Sequence, residues 1–335
     1  MRILITGGCG FIGSNFIMHI LNTYPGYRIV NFDALTYAGN PENLKGVRDD
    51  ARYTFVKGDI EDAVSVKKVM RGIDAVVHFA AQSHVDRSIL DAQPFLTTNV
   101  MGTHVMLSAA RDLSVQRFIH ISTDEVYGSL GDVGKFTEDT PLMPNSPYAA
   151  SKAAGDLLVR AYHETFGLPT VIIRPSNNYG PFQFPEKFIP LMITNLLENK
   201  AVPVYGKGLN VRDWLFVEDN CRAIDLILHK GKAGEAYNVG GNAERKNIDI
   251  VKQVMEIMGK DEALITFVKD RPGHDYRYGL DTSKIERELG WKPSVDIGTG
   301  LKMTVEWYRE GQWWWRPLKE RLAAESKGFW ENKRQ

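Results

Sequence analysis

The chain has only two cysteines, Cys9 and Cys221, far apart in unrelated contexts. That excludes a disulfide framework and a thiolate zinc site, and it suits a reducing cytoplasm. There is no net charge, because 41 basic side chains balance 41 acidic ones. Without a basic excess the chain has no electrostatic footprint for nucleic acid or an anionic membrane. It has no apolar run of the roughly 18 residues that a spanning helix requires. The apolar start Ile3-Leu4-Ile5 breaks at Thr6-Gly7-Gly8. That is shorter than the apolar core of about 7–15 residues in a secretory leader, so a buried first strand is expected. No internal repeat or charge block interrupts the 335 residues. His84 and His274 are not spaced as metal ligands, and no metal is expected.

Short apolar runs rich in β-formers alternate with helical patterns. Residues 2–5, 27–32, 53–57, 75–79, 117–122 and 169–174 read as strands. They lack polar alternation, as strands buried on both faces do. Residues 13–23, 62–71, 99–113 and 151–166 read as helices. This rhythm predicts an α/β fold, a Rossmann-type doubly wound parallel sheet over residues 1–175. Residues 176–335 are predicted to form mainly a smaller C-terminal lobe over the carboxyl edge of the sheet, with some later segments returning to it. Residues 175–190 read as loop and 202–205 and 214–217 as short strands. Helices are expected at 188–198, 219–229, 247–258, 282–289 and 298–312. The tail from Trp313-Trp314-Trp315 to Trp330 is unusually aromatic. It fits either a helix packed on its own domain or a contact with a second subunit.

Gly7-Gly8-Cys9-Gly10-Phe11-Ile12-Gly13 follows the first strand and opens the first helix. Glycines there permit a tight turn and close approach to a pyrophosphate, which faces the positive end of the helix. Asp33 ends the second strand about 20 positions beyond Gly13, where a carboxylate accepts hydrogen bonds from a ribose. The segment Asp33-Ala34-Leu35-Thr36 has an acid and no arginine, which favours NAD over NADP. Asp59 and Ile60 follow the third strand, as Phe79, Ala80, Ala81 and Ser83 follow the fourth. These are further positions along a dinucleotide.

Tyr148 and Lys152 have the i, i+4 spacing that puts both on one helix face. A phenol near pKa 10 needs a neighbouring cation to serve as a base at neutral pH. Lys152 and a bound nicotinamide ring are expected to lower it. Ser122-Thr123-Asp124-Glu125-Val126-Tyr127-Gly128 then adds a hydroxyl and two adjacent acids. Oxidising an alcohol requires the Tyr/Lys pair but not two acids. Two carboxyls with separate tasks imply a second chemical step.

The glycine motif, Asp33, the Tyr/Lys pair and the long second half resemble the extended short-chain dehydrogenase/reductase family. Within it, the segment 122–128 resembles the signature of the dTDP-glucose 4,6-dehydratases. So do His84-Val85-Asp86-Arg87-Ser88, Arg212-Asp213-Trp214 and Asp270 to Asp275. The resemblance implies a tightly bound NAD, with Thr98 and Asn178 among its contacts. It implies that Tyr148 acts at the hydroxyl on glucose carbon 4, assisted by Thr123 and Lys152. Glu125 would take the carbon 5 proton and Asp124 would protonate the leaving hydroxyl on carbon 6. Substrate contacts are implied at Ser83, His84, Thr123, Asn177, Lys187, Pro203, Tyr205, Arg212, Asn247, Arg271 and His274. Asn220, Gln82 and the segment 241–245 depart from the usual family pattern. A uridine nucleotide in place of thymidine stays open, as does a 4-epimerase, which lacks need of the acid pair. A homodimer through helices 99–113 and 151–166 is also implied, although their apolar faces equally suit covering the sheet.

Overall fold

The structure is a computed structural model that describes the backbone of residues 1–332 and the side chains of residues 1–324; the Trp330 side chain lies outside the described residues. The first half is built from β1 (Arg2–Thr6), α1 (Phe11–Thr23), β2 (Arg28–Asp33), β3 (Tyr53–Lys57), α2 (Ala63–Val69), β4 (Ala75–His78), α3 (Val85–Leu90) and α4 (Gln93–Phe95). It continues through α5 (Thr103–Asp112), β5 (Arg117–Ile121), α6 (Pro147–Phe166) and β6 (Thr170–Pro175). The second half has β7 (Asn177–Tyr179), α7 (Phe188–Leu197), β8 (Val202–Tyr205), β9 (Val211–Phe216), α8 (Val217–Lys230) and β10 (Ala236–Val239). After these come β11 (Glu244–Lys246), α9 (Asn247–Met258), β12 (Ile265–Val268), α10 (Ser283–Leu289), α11 (Ile297–Glu310) and α12 (Gln312–Asn332).

Seven parallel strands form the main sheet in the order β10-β6-β5-β4-β1-β2-β3. Ile3, Leu4 and Ile5 of the interior strand β1 are fully buried, since helices cover both faces. The order reverses between β1 and β4, and in such sheets ligands bind at that reversal, beyond the carboxyl ends of the strands. The seventh strand, β10, returns from the second half of the chain. A later segment returning to the sheet is expected from the sequence, but Ala236–Val239 is not singled out, since no local pattern sets it apart.

The second half makes a three-stranded sheet, β11-β9-β7, and a two-stranded one, β12-β8. Residues 177–179, expected as loop, pair with β9 in register Asn177 to Trp214. Tertiary pairing overrides their polar composition. A separate core of Ile250, Val254, Leu301, Tyr308, Trp314 and Trp315 holds this lobe. The aromatic segment therefore packs on its own domain through Trp314 and Trp315, while Trp313 stays 55% exposed.

Helix 99–113 begins with a π-helical stretch, Leu96–Gly102, before α5. Helix 151–166 starts earlier than expected. Ser146 accepts a hydrogen bond from the Ala149 amide at 3.1 Å and Pro147 occupies the first turn, so the cap sets the start. Tyr148 consequently lies in the first turn of α6. No helix among the described residues is long and apolar enough to cross a membrane.

Candidate active site

The glycine turn explains the cleft at the sheet reversal. Gly7 adopts φ +68°, and a side chain there would stand 2.7 Å from the Ala80 backbone. A Cβ on Gly13 would lie 2.6 Å from the Gly7 carbonyl oxygen. Both positions exclude a side chain, letting α1 start close against β1 with Gly10 as its N-cap. No side chain caps that end, so its amides face the cleft. Asp33 accepts hydrogen bonds from the Cys9 and Leu35 amides, each at 2.8 Å. Burial nevertheless raises its pKa, with these two amides opposing the shift. The cradle fits the dinucleotide that the motif implies.

That cleft, about 250 Å³, is lined by Gly7, Gly10, Phe11, Ile12, Gly13, Asp33, Thr36, Asp59, Ile60, Phe79, Ala80, Ala81, Ser83, Thr98, Tyr148 and Lys152. Two expected cofactor residues fall elsewhere. Leu35 is absent from the lining; it adopts φ 55° to turn the chain after β2. Asn178 lines a second, adjoining cavity of about 300 Å³. The same cavity collects Ser83, His84, Asn177, Lys187, Pro203, Tyr205, Arg212, Asn247, Arg271 and His274, with Glu125. Every expected substrate residue except Thr123 is there. Ser83, Gln183 and Lys187 line both spaces, so the cavities adjoin. Tyr37, Gln183 and Phe184 also line the first cavity, and Asp86 and Glu186 the second. Asp86 belongs to the segment 84–88 and is carried on α3; no motif marks the other four, which loops bring in from distant segments.

The acid pair sits where β5 ends. The Thr123 hydroxyl accepts a hydrogen bond from the Glu125 amide at 3.3 Å and caps the short 3₁₀ turn Asp124–Tyr127. That turn buries Asp124, 2% exposed, and directs Glu125 to the second cavity. Asp124 accepts from the Thr123 hydroxyl at 3.3 Å through one oxygen, and its other oxygen is buried with no hydrogen-bond partner. Burial, then the neighbouring Glu125, push the Asp124 carboxyl well above its ordinary range. Burial also raises Glu125, but Arg271, Arg212 and Lys187 oppose the shift. Both acids are thus raised, but their surroundings differ: the Glu125 charge pushes Asp124 further up, while three cations oppose the shift at Glu125.

Lys152 is buried, and its ammonium donates to the Ile121 carbonyl at 2.7 Å. Burial lowers its pKa from 10.5 to about 8, against the field of Asp156. The Tyr148 phenol departs from the sequence expectation. Burial and then Glu125 raise it, while the Thr123 hydroxyl lowers it. The lysine proton is turned to a carbonyl, so burial dominates at the phenol in the protein alone. Asp156 also accepts from Arg174 Nε at 2.8 Å, and both side chains are almost fully buried. Arg212 departs from a free anion grip as well. It stacks 4.2 Å from the Tyr278 ring centroid and donates to the carbonyls of Val211 at 2.7 Å and Asp275 at 2.9 Å.

A doubly wound sheet with a glycine-rich turn at its reversal, and Thr, Tyr and Lys converging beside it, defines an extended short-chain dehydrogenase/reductase. The chain belongs to the family described as GDP-mannose 4,6 dehydratase, whose model matches residues 4–304. It is 53% identical over 323 residues to a dTDP-glucose 4,6-dehydratase of Streptomyces niveus, covering 95% of this chain and 96% of that protein. Among solved structures it is similar to DesIV, the dTDP-glucose 4,6-dehydratase of Streptomyces venezuelae with NAD and TYD bound. The TM-score is 0.93 at 53% identity, over 95% of this chain and 100% of that one. The dTDP-glucose 4,6-dehydratase of Bacillus anthracis in complex with NAD gives a TM-score of 0.90 at 48% identity, over 95% and 99% of the two chains.

Proposed function

We propose that the chain is an NAD-dependent dTDP-glucose 4,6-dehydratase, a hydro-lyase that yields dTDP-4-keto-6-deoxyglucose and water. One observation carries this: two adjacent acids with opposed fields stand beside the Thr123–Tyr148–Lys152 group. NAD, when bound in the first cavity, supplies a hydride acceptor that is regenerated within each turnover. Tyr148 takes the proton from the hydroxyl on carbon 4, and Thr123 holds the same oxygen. Lys152 remains an ammonium below about pH 8, and together with the positive ring of bound NAD it would favour the phenolate that burial alone disfavours. A ketone on carbon 4 acidifies the carbon 5 proton. Glu125 removes that proton, because Arg271 and Arg212 favour its charged form. Asp124, kept protonated by burial, delivers its proton to the carbon 6 hydroxyl as it leaves. Carbon 6 would regain the hydride taken from carbon 4 while Glu125 returns its proton to carbon 5, which saturates the carbon 5–carbon 6 double bond and leaves the ketone on carbon 4.

The second cavity suits the nucleotide diphosphate. Lys187, Arg212, Arg271 and His274 supply cationic or donor groups, and Pro203 and Tyr205 supply apolar surface for a base. We assign residues 1–175 mainly to the cofactor and residues 176–335 mainly to the sugar nucleotide. We also assign the enzyme to the cytoplasm, where the buried thiols Cys9 and Cys221 stay reduced. A homodimer would cover Leu96, Met101 and Leu157, which are 47%, 56% and 59% exposed on the π-helical stretch and α6. Light scattering at the monomer mass would refute the dimer.

The test of the reaction is incubation of purified protein with dTDP-glucose and no added reductant. A 4-keto-6-deoxy product with no net NADH is expected. Formation of the galactose epimer instead would sink the dehydratase reading, and comparison with UDP-glucose reads the base preference.

A further inference from the structure

The aromatic segment has no task in the chemistry above, yet it reaches the cofactor cleft. Trp314 is buried in the second lobe and donates from Nε1 to Asn43 Oδ1 at 2.7 Å. Asn43, 3% exposed, donates in turn to the Cys9 carbonyl at 2.9 Å, inside the glycine turn. The Asn40 amide donates to that same carbonyl at 2.9 Å. Further along α12, Arg321 donates to the Tyr37 carbonyl at 2.6 Å. One helix of the second lobe thus holds both ends of segment 37–43, which follows β2 and begins in the wall of the first cavity.

Tyr37 is gripped from its other sides as well. The Arg87 guanidinium, from α3, lies 4.2 Å from its ring centroid. Glu186 fixes that guanidinium at 3.2 Å. Phe184 meets the Tyr37 ring edge-on at 5.8 Å. The Tyr37 hydroxyl is buried and has no hydrogen-bond partner in the protein. A buried, unpartnered hydroxyl on a cavity-lining ring points to a ligand oxygen as its partner. Residues from three distant segments therefore converge on one tyrosine at the cleft.

We infer that α12, through Trp314 and Arg321, together with Tyr37 and Arg87, forms a bracket that retains NAD in the first cavity. The inference rests on the NAD-dependent dehydratase reading. That reaction removes a hydride from one carbon and returns it to another carbon of the same sugar. A cofactor that escaped between the two steps would strand the ketone and leave the enzyme with no hydride to return. Slow release is therefore part of the chemistry, and a brace from the second lobe opposes opening of the segment after β2.

The test measures release, independently of turnover. Protein loaded with NAD is passed rapidly through a desalting column, and the nucleotide still bound is acid-released and quantified over time. Arg321 is exposed on α12, so Arg321→Ala leaves the cores intact. It should lose NAD about fivefold faster, the worth of roughly one net hydrogen bond. Arg321→Lys keeps a donor toward the Tyr37 carbonyl and should restore retention, which a loss of general stability would not predict. If the parent holds NAD and Arg321→Ala holds it equally long, the bracket is refuted while the dehydratase reading stands. A parent that takes up no NAD refutes both.

Discussion

Replacing Glu125 with glutamine keeps the side-chain shape but removes one charge and one base. The Glu125 charge is the second cause, after burial, of the raised pKa at both Tyr148 and Asp124. Glu125→Gln should therefore ease ionisation of the Tyr148 phenol and shift the pH dependence of sugar oxidation toward lower pH. Asp124 also loses a raising charge, yet burial, its largest cause, persists and keeps it an acid. The carbon 5 proton then has no base. Loss of a positioned general base costs about 10²–10⁴-fold, equivalent to roughly 3–5 kcal/mol of barrier. Oxidation proceeds, elimination stalls, and reduced nicotinamide accumulates on the enzyme. Mixing the loaded variant with dTDP-glucose and following nicotinamide absorbance reads this directly. Turnover at the parental rate, or elimination slowed with no reduced nicotinamide appearing, would refute the assignment of Glu125.

Lys152 should make activity fall as pH rises through about 8, where its ammonium is lost. Its folded pKa lies below the unfolded value, so the unfolded chain binds more protons between about 8 and 10.5. Across that window this group makes the fold more stable with rising pH, so activity should drop without a matching contribution to unfolding. A pH–rate profile flat from 7 to 9.5 would contradict this. Asp156→Asn strips the buried anion from Arg174 and should destabilise the fold by about 3–5 kcal/mol; a change below 1 kcal/mol in urea unfolding would contradict that. His78 is buried between the hydroxyls of Thr6 at 2.7 Å and Thr103 at 3.2 Å, and burial lowers its pKa to about 3. Burial also holds His120 well below its ordinary value. Both stay neutral in the fold while the unfolded chain charges below about 6.5, so their stabilisation is present above that pH and is lost on acidification. The urea midpoint should fall from pH 6.5 to 4, and His120→Asn should flatten the fall. An identical slope in the variant would remove His120 from this account.

Local chemistry made much of the site legible. Gly7, Gly10 and Gly13 are readable because the turn demands them at a fixed spacing, and Asp33 follows at the strand end. Tyr148 and Lys152 share a helix face by period alone. Asp124 and Glu125 stand adjacent in the chain, so their surplus over a simple oxidation is visible without coordinates. Other features depend on partners distant in sequence. The return of β10 to the sheet, the pairing of 177–179 with β9, and the bond from Arg212 to the Asp275 carbonyl carry no local pattern.

The sequence alone therefore determined the doubly wound class and the glycine turn, and it singled out the proposed acid/base set, because spacing along one strand, turn or helix specifies each. Tertiary structure decided the surroundings of the two acids. Asp124 and Glu125 carry the same carboxyl group and burial raises both, but Glu125 faces Arg271, Arg212 and Lys187, whereas Asp124 is pushed further up by Glu125 itself. It also decided the shift of the Tyr148 phenol, which burial raises, and the attachment of Trp314 and Arg321 to the segment that follows β2. Desolvation and charge fields act through space, and a chain order records them only where neighbours in space are also neighbours in sequence.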